Sequence, residues 1–291
     1  MKSVVITGVS TGIGNAAAAE LCRRGWRVFG SVRTTADADR LQTELGPSFT
    51  PLVFDVTDAG AVRAAADRVR ETLAGDTLAG LVNNAGISSP GPLSVMAPEI
   101  VRRHFEVNVV GVLHVVQAFL PLLRTPRDGG QAPGRIVNIS SVSGRIAYPF
   151  MGAYAASKHA LEALSDSLRR ELMIYGIDVI VVQPASIDTP IWDKAQHIST
   201  AFEDSDYAPL FRGVDLQHNR RTAMPVATVT RRIVEALESR RPRARYLVPD
   251  HYWKFWVAPR LLPDRWLDRI IDRMLNFKSV REGLKDPPPG S

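Results

Sequence analysis

The sequence predicts an α/β protein with a doubly wound parallel sheet, a single domain followed by a helical extension at its C-terminal end. Three observations predict it. Short β-branched runs alternate with longer amphipathic stretches through the first 185 residues, the pattern of repeated β–α units. A strand such as Ile177-Asp178-Val179-Ile180-Val181-Val182 is apolar almost throughout, as strands covered by helices on both faces are. The first strand also runs straight into a glycine-rich turn, Thr7-Gly8-Val9-Ser10-Thr11-Gly12-Ile13-Gly14, where the first helical pattern begins.

Strands are expected over residues 3–7, 27–32, 50–54, 79–83, 134–140 and 177–183. Helices are expected over 13–24, 58–74, 98–123 and 152–175, with a weaker one near 37–45. The turn after the first strand has the spacing G-x-x-x-G-x-G. Its glycines allow a tight bend and let backbone N–H groups and a helix N-terminus approach a pyrophosphate, so Gly8, Ser10, Thr11, Gly12, Ile13 and Gly14 are candidate dinucleotide contacts. The second strand ends in Gly30-Ser31-Val32-Arg33-Thr34, with no acid before Asp37. An acid there would accept from an NAD ribose hydroxyl. Arg33 instead suits a 2′-phosphate, helped by Ser10 and Thr11, which favours NADP over NAD; the alternative is a solvated loop arginine. After the third strand, Asp55 and Val56 are placed to meet an adenine edge. After the fourth, Asn83-Asn84-Ala85-Gly86 brings small and amide-bearing residues to the end of the sheet where ligands bind, so Asn83, Ala85 and Gly86 join the candidates. Residues 125–134 form a polar Gly/Pro-rich loop, and the final six residues read as a disordered tip.

Composition excludes several classes. Hydrophobic residues make up 45% and charged residues 23% of the 291, an ordinary globular balance. The apolar runs are short and interrupted, so no membrane span is expected. Met1-Lys2 lead directly into the first strand, which leaves no room for a signal peptide, and the lone Cys22 forms no intrachain disulfide; a cytoplasmic protein is expected. The net charge of +6 resides wholly in residues 240–291, so the main body is not expected to bind nucleic acid. None of the six histidines forms a metal-ligand pair, and no metal is expected.

The chemistry is concentrated in the fifth strand and the helix after it. Tyr154 and Lys158 are four residues apart and leave one face of that helix, and Ser141 lies thirteen before the tyrosine. An ammonium beside a phenol favours phenolate, so Lys158 is expected to pull Tyr154 below its free value of about 10. A tyrosine that exchanges a proton near neutral pH is what ketone reduction or alcohol oxidation needs. Ser140 and Ser141 point to opposite faces of a strand, so only one of them reaches a substrate.

Taken in order, TGVSTGIG, Asp55, the NNAG block at 83–86, Asn108, Ser141, Tyr154 and Lys158 resemble the short-chain dehydrogenase/reductase family, a Rossmann-type fold, over about residues 3–190. The resemblance implies that Tyr154 is the general acid/base and that Lys158 lowers its pKa and binds the nicotinamide ribose. It implies that Ser141 hydrogen-bonds the substrate oxygen and that Asn108 holds a water linking Lys158 to solvent. Pro184, Ile187 and Thr189 would line the nicotinamide side, with Ala185 standing where the family usually has glycine. A homodimer or homotetramer is expected on the same basis. The layout looks most like the retinol and hydroxysteroid dehydrogenase branch.

Substrate identity lies outside these motifs. Tyr148, Phe150, Met151, Ile191, Trp192, Tyr207, Leu210 and Phe211 suit a bulky apolar ketone or secondary alcohol, with Phe150 and Trp192 beside Ser141 and Tyr154 as the substrate candidates and residues 190–225 as a lid on a domain ending near 249. A β-ketoacyl or small-carbonyl reductase is the alternative, and a non-catalytic dinucleotide-binding regulator a weaker one. The extension over 250–285 carries Trp253, Phe255, Trp256, then a helix in which Trp266, Leu267, Ile270, Ile271, Met274 and Leu275 alternate in pairs with Asp-Arg dipeptides. Its polar charges cancel, so packing on protein is favoured over peripheral membrane contact.

Overall fold

The computed structural model describes residues 1–125, 131–188, 202, 204–212, 223–248, 257 and 261–285. Seven strands make one sheet: β1 (Ser3–Ile6), β2 (Arg27–Val32), β3 (Phe49–Val53), β4 (Gly80–Asn83), β5 (Arg135–Ile139), β6 (Val179–Pro184) and β7 (Arg245–Val248). The order is β3-β2-β1-β4-β5-β6-β7, and every neighbouring pair is parallel. This is the doubly wound sheet that the alternating pattern predicted.

Helices cover both faces. On one side lie α1 (Gly12–Arg23), α2 (Thr35–Leu45) and α8 (Val226–Glu238), which share a core with Val4, Ile6, Val137 and Val182. On the other lie α3 (Ala59–Leu73), α5 (Gly111–Leu123) and α6 (Gly152–Glu171), packed on Val5, Phe29, Leu81 and Ile136. Fully buried side chains such as Phe119, Leu81 and Leu161 each contribute roughly 1.5–3 kcal/mol by leaving water. Cys22 is half-buried against the first of these cores. Two shorter helices, α4 (Pro98–Phe105) and α7 (Ala208–Arg212), and two C-terminal ones, α9 (Asp264–Leu275) and α10 (Phe277–Lys285), complete the described elements.

Four departures from the sequence reading have physical causes. The seventh strand and α8 were not anticipated. β7 is only four residues long and follows an Arg/Pro-rich stretch that reads as loop; pairing from Val181↔Arg245 to Pro184↔Val248 makes it a strand. The predicted helix 98–123 is not one regular rod: a π-helical turn at Glu106–Val110 separates α4 from α5. Those residues together, Pro98–Leu123, are long and apolar enough for a membrane span, contrary to the expectation, but half of the apolar window is buried, with Val112, Val115, Phe119 and Leu123 in the core. Finally, the helix 152–175 tightens into a 3₁₀ turn over its last residues, Leu172–Tyr175.

Candidate active site

Ligand-binding sites in such sheets lie beyond the strand C-termini where the order reverses, here between β1 and β4. The glycine turn occupies that point. Gly8 and Gly12 have φ of +70° and +63°, conformations that side chains resist. Gly14 is required by contact: a Cβ there would sit 2.4 Å from both Gly8 O and Asn84 Nδ2. Asn84 Nδ2 donates to Thr7 O and Gly8 O, both at 2.9 Å, while Thr7 Oγ1 accepts from Asn84 N and Ala85 N at 3.0 Å. The amide after β4 therefore splints the turn after β1. Asn83 does something else: its side chain is buried and donates to Asn138 Oδ1 at 2.8 Å. Of the Asn-Asn pair, Asn84 is the one against the glycine turn, which its position one residue past the strand determines.

The first turn of α1 is open to an anion. Thr11 caps it with no side-chain hydrogen bond, and no acid lies in the first turn. Its N–H groups and positive dipole end are thus offered to a pyrophosphate, so the residues fit a dinucleotide.

At the end of β2, Arg33 is exposed. Asp37, the first acid, is already engaged: Thr34 caps its N–H, and its carboxylate meets Arg40 at 3.0 Å and Thr34 Oγ1 at 3.0 Å. The Arg40 bond, then the Thr34 bond, hold Asp37 below the ordinary carboxylate range. Arg40 also donates from Nη2 to Ser10 O at 2.9 Å. This second guanidinium at the ribose end escaped the sequence reading because its partner lies thirty residues back in another turn. Ser31 Oγ, likewise unanticipated, accepts from Gly8 N at 2.9 Å. Asp55 Oδ1 accepts from Thr57 N and Oγ1, and its other oxygen is 3.6 Å from Arg103. Burial pushes Asp55 up, but the Thr57 bonds with Arg103 and Arg33 bring it net below its usual value. Val56 is buried, its carbonyl 3.2 Å from His114 Nδ1.

β5 and α6 bring together the residues expected to do chemistry. Ser141 Oγ donates to Pro184 O at 3.3 Å, accepts from Ser143 N at 3.1 Å, and hydrogen-bonds the Tyr154 phenol. Ser140 faces the other way, its buried hydroxyl without a hydrogen-bond partner among the described residues and beside Gly144. Lys158 is 5% exposed; its Nζ donates to Ile139 O at 2.8 Å and lies 5.7 Å from the Tyr154 ring centroid. Burial lowers the Lys158 pKa to about 8, with Glu162 opposing that shift. Gly86 lets the chain pass close, since a Cβ there would come 3.7 Å from Lys158 Nζ and 3.2 Å from Asn108 Oδ1.

One expectation is reversed here. Lys158 was expected to lower the Tyr154 pKa, yet burial pushes the phenol above 10, and the Ser141 hydrogen bond only partly opposes it. Desolvation wins because the ammonium is held by a backbone carbonyl rather than by the hydroxyl. Asn108 lies in the π-helical turn, completely buried. Its Nδ2 donates to Ile87 O and Ser157 Oγ, and its Oδ1 accepts from Ile87 N. The side chain is therefore a strut between the loop after β4 and α6. His104 supports the same loop: Nε2 accepts from Ser89 N at 3.0 Å and Nδ1 contacts Ile100 O at 2.7 Å, and burial lowers its pKa.

Pro184 ends β6, and Ala185 N donates to Val248 O at 2.7 Å; Ile187 is buried and bridges to Met224. Thr189, Ile191 and Trp192, like Trp253, Phe255 and Trp256, lie outside the described residues. Phe150 carries a φ of +66°, a strained state for a bulky residue. Its ring meets Tyr207 at 5.6 Å and Phe277 at 6.2 Å, edge to face. Around it is a cavity of about 800 Å³ lined by Leu93, Tyr148, Phe150, Tyr207, Ile271 and Phe277, and on one side by the charged Arg265, Asp268, Arg269, Asp272 and Arg281. Gly152 also lines it, whereas Ser141, Tyr154 and Lys158 do not.

The family pattern described as "short chain dehydrogenase" matches residues 2–199. The chain belongs to that family. It is 38% identical over 273 residues, 93% of this chain and 96% of the other, to an NADPH-dependent 3-dehydrocapnine reductase of Ornithobacterium rhinotracheale. It is 33% identical over 288 residues, 93% of this chain and 87% of the other, to retinol dehydrogenase 16 of Rattus norvegicus. Among solved structures, a short chain dehydrogenase from Burkholderia cenocepacia in complex with NADP is 26% identical, with a TM-score of 0.69 over 94% of this chain and 99% of the other. A short-chain dehydrogenase is an oxidoreductase that works with a nicotinamide cofactor, and the seven-stranded sheet described above is that family's fold.

Proposed function

We propose that this short-chain dehydrogenase uses NADP(H) to interconvert a bulky apolar ketone and its secondary alcohol, acting as a reductase. The observation that carries the reading is the convergence of Ser141, Tyr154 and Lys158 at the sheet edge where the glycine turn offers its N–H groups. When bound, the nicotinamide supplies hydride. Tyr154 donates its phenolic proton to the ketone oxygen, and its raised pKa keeps that proton in place at neutral pH. Ser141 Oγ donates to the same oxygen as charge develops there. Lys158, fixed by Ile139 O, brings positive charge to the site and an N–H for a ribose hydroxyl. The Asn108 Nδ2 hydrogens are both spent on Ile87 O and Ser157 Oγ, so a water relay there would be held by Oδ1 or by the backbone carbonyl as acceptor.

Arg33, with Arg40 on the glycine turn, supports NADP as the cofactor, as does the NADPH-dependent relative. The aromatic wall of Phe150, Tyr207 and Phe277 supports a bulky apolar substrate over a small carbonyl. Cytoplasmic residence and a homodimer or homotetramer are part of the same proposal.

The test is a panel of long-chain aliphatic, steroid, retinoid and small acyl ketones, each assayed with NADPH and NADH, for wild type and Tyr154→Phe. Turnover of a bulky apolar ketone with NADPH, lost by at least about a hundredfold in the variant, is expected. Preference for the small carbonyls, or a variant retaining a tenth or more of the rate, would overturn the reading.

A further inference from the structure

The C-terminal helix α9 divides into four rows. Leu267, Ile271 and Leu275 form one, and it is the row that packs on the protein, with Ile271 buried. Next to it runs a second apolar row, Trp266, Ile270 and Met274, spaced by one turn. That row is turned outward: the three side chains are 59%, 49% and 62% exposed, and Leu261 just before the helix is 74% exposed. At 100° per residue, the arginines 265, 269 and 273 border the outward row directly, and the aspartates 264, 268 and 272 lie on the far side of the helix.

The overall cancellation of charge therefore conceals an arrangement. Arg281 binds Asp272 at 2.9 Å, and Asp268 lies 3.7 Å from Arg265. Among the described residues, Arg269 and Arg273 form no ion pair. The surface that α9 presents is thus an apolar stripe headed by a tryptophan, edged by unneutralised guanidinium groups, with its acids turned away.

We propose that α9 is an interfacial helix, which docks this enzyme on an anionic lipid bilayer through Trp266, Ile270 and Met274. Tryptophan and arginine at such an edge match the boundary of acyl chains and phosphates, one ring burying its body while the guanidinium stays at headgroup level. A second copy of the chain fits worse. A stable dimer needs about 800 Å² from each partner, roughly twice what these three half-exposed side chains provide. A two-fold antiparallel pairing along the stripe would also set one arginine row against the other. A bilayer has neither difficulty.

Docking has a consequence for the site. Ile271 and Arg269 of the same helix also line the 800 Å³ cavity around Phe150. With the outward row in the lipid, that cavity lies about one helix diameter, roughly 10 Å, from the bilayer. An apolar ketone dissolved in the membrane would then have a short path to it; this step rests on the proposed substrate class, whereas the docking does not.

The experiment uses the full chain with vesicles of phosphatidylcholine alone and of phosphatidylcholine mixed equally with phosphatidylglycerol. Co-sedimentation with the anionic vesicles, weakened by added salt, is expected. Trp266→Ser with Ile270→Ser should lower that partitioning by about tenfold or more at an unchanged melting temperature. The same variant should keep its rate on a water-soluble ketone, which separates loss of docking from loss of the reductase. Arg269→Glu with Arg273→Glu should remove the preference for anionic over neutral vesicles. Failure of the wild-type chain to bind anionic vesicles at low salt overturns the proposal, as does equal binding by the serine variant. So does a dimer that Trp266→Ser dissociates while vesicle binding is absent, which would assign the stripe to a second copy.

Discussion

Replacing Lys158 by methionine separates the electrical cost of this residue from its use. The ammonium is 5% exposed, and burial lowers its pKa from 10.5 to about 8. At about 1.4 kcal/mol per unit, that shift corresponds to about 3 kcal/mol of destabilisation of the charged form in the fold. The sign follows from proton counting. Between about pH 8 and 10.5 the unfolded chain still holds the lysine proton while the folded protein has released it, so wild-type stability rises with pH across that window. The gain is complete above the unfolded value and is lost as pH falls through about 8. Methionine cannot titrate. Urea unfolding of both proteins at matched pH values should therefore show wild type gaining about 3 kcal/mol on the variant between about pH 7 and pH 11, other groups cancelling in the difference. The variant should also lose at least about a hundredfold in ketone turnover. A difference that stays flat with pH would refute the desolvated ammonium, whatever happens to activity.

The remaining predictions concern the cofactor end. Arg33→Ala should weaken NADPH by about tenfold to a hundredfold, as loss of a charge-assisted contact does, and leave NADH nearly unchanged; equal losses in fluorescence titration would remove Arg33 from the phosphate site. Gly14→Ala places a methyl 2.4 Å from Gly8 O and Asn84 Nδ2, so one of them must move. Overpacking of this kind costs about 1–3 kcal/mol, and isothermal titration should find dinucleotide affinity reduced by about tenfold or more. Unaltered affinity would mean that the turn is not held in the shape seen here.

Local chemistry was legible in the sequence, and non-local packing was not. The glycine turn and the Tyr154–Lys158 spacing each follow from distances of a few residues along the chain, the choice of Ser141 over Ser140 came from the family resemblance, and the fold places these residues together. β7 was missed because Arg245-Tyr246-Leu247-Val248 becomes a strand only by pairing with β6. Arg40 was missed because Ser10 is distant in sequence. Asn83 and Asn84 are adjacent and chemically identical, and only the position of the strand end sends one to Asn138 and the other to the glycine turn. The rows of α9 are a different case: composition counted its charges as balanced, while the angular order of those charges determines what the helix can meet.

The Tyr154 expectation failed for a more instructive reason. Counting charges along the helix placed an ammonium beside a phenol and inferred a lowered phenol pKa. The fold buries the ammonium and half-buries the phenol, and loss of water acts on them in opposite directions, raising the phenol and lowering the ammonium. Each shift favours the neutral form, so tyrosine keeps its proton and lysine tends to lose one as pH approaches 8. A neutral lysine can no longer stabilise phenolate, which couples the two titrations. A phenol pushed up by burial is a weaker acid, so the proposed proton transfer depends on what raises its acidity when substrate and nucleotide fill the site. The burial that upset the electrostatic expectation favours neither reduction nor oxidation, because the two run through the same groups in reverse.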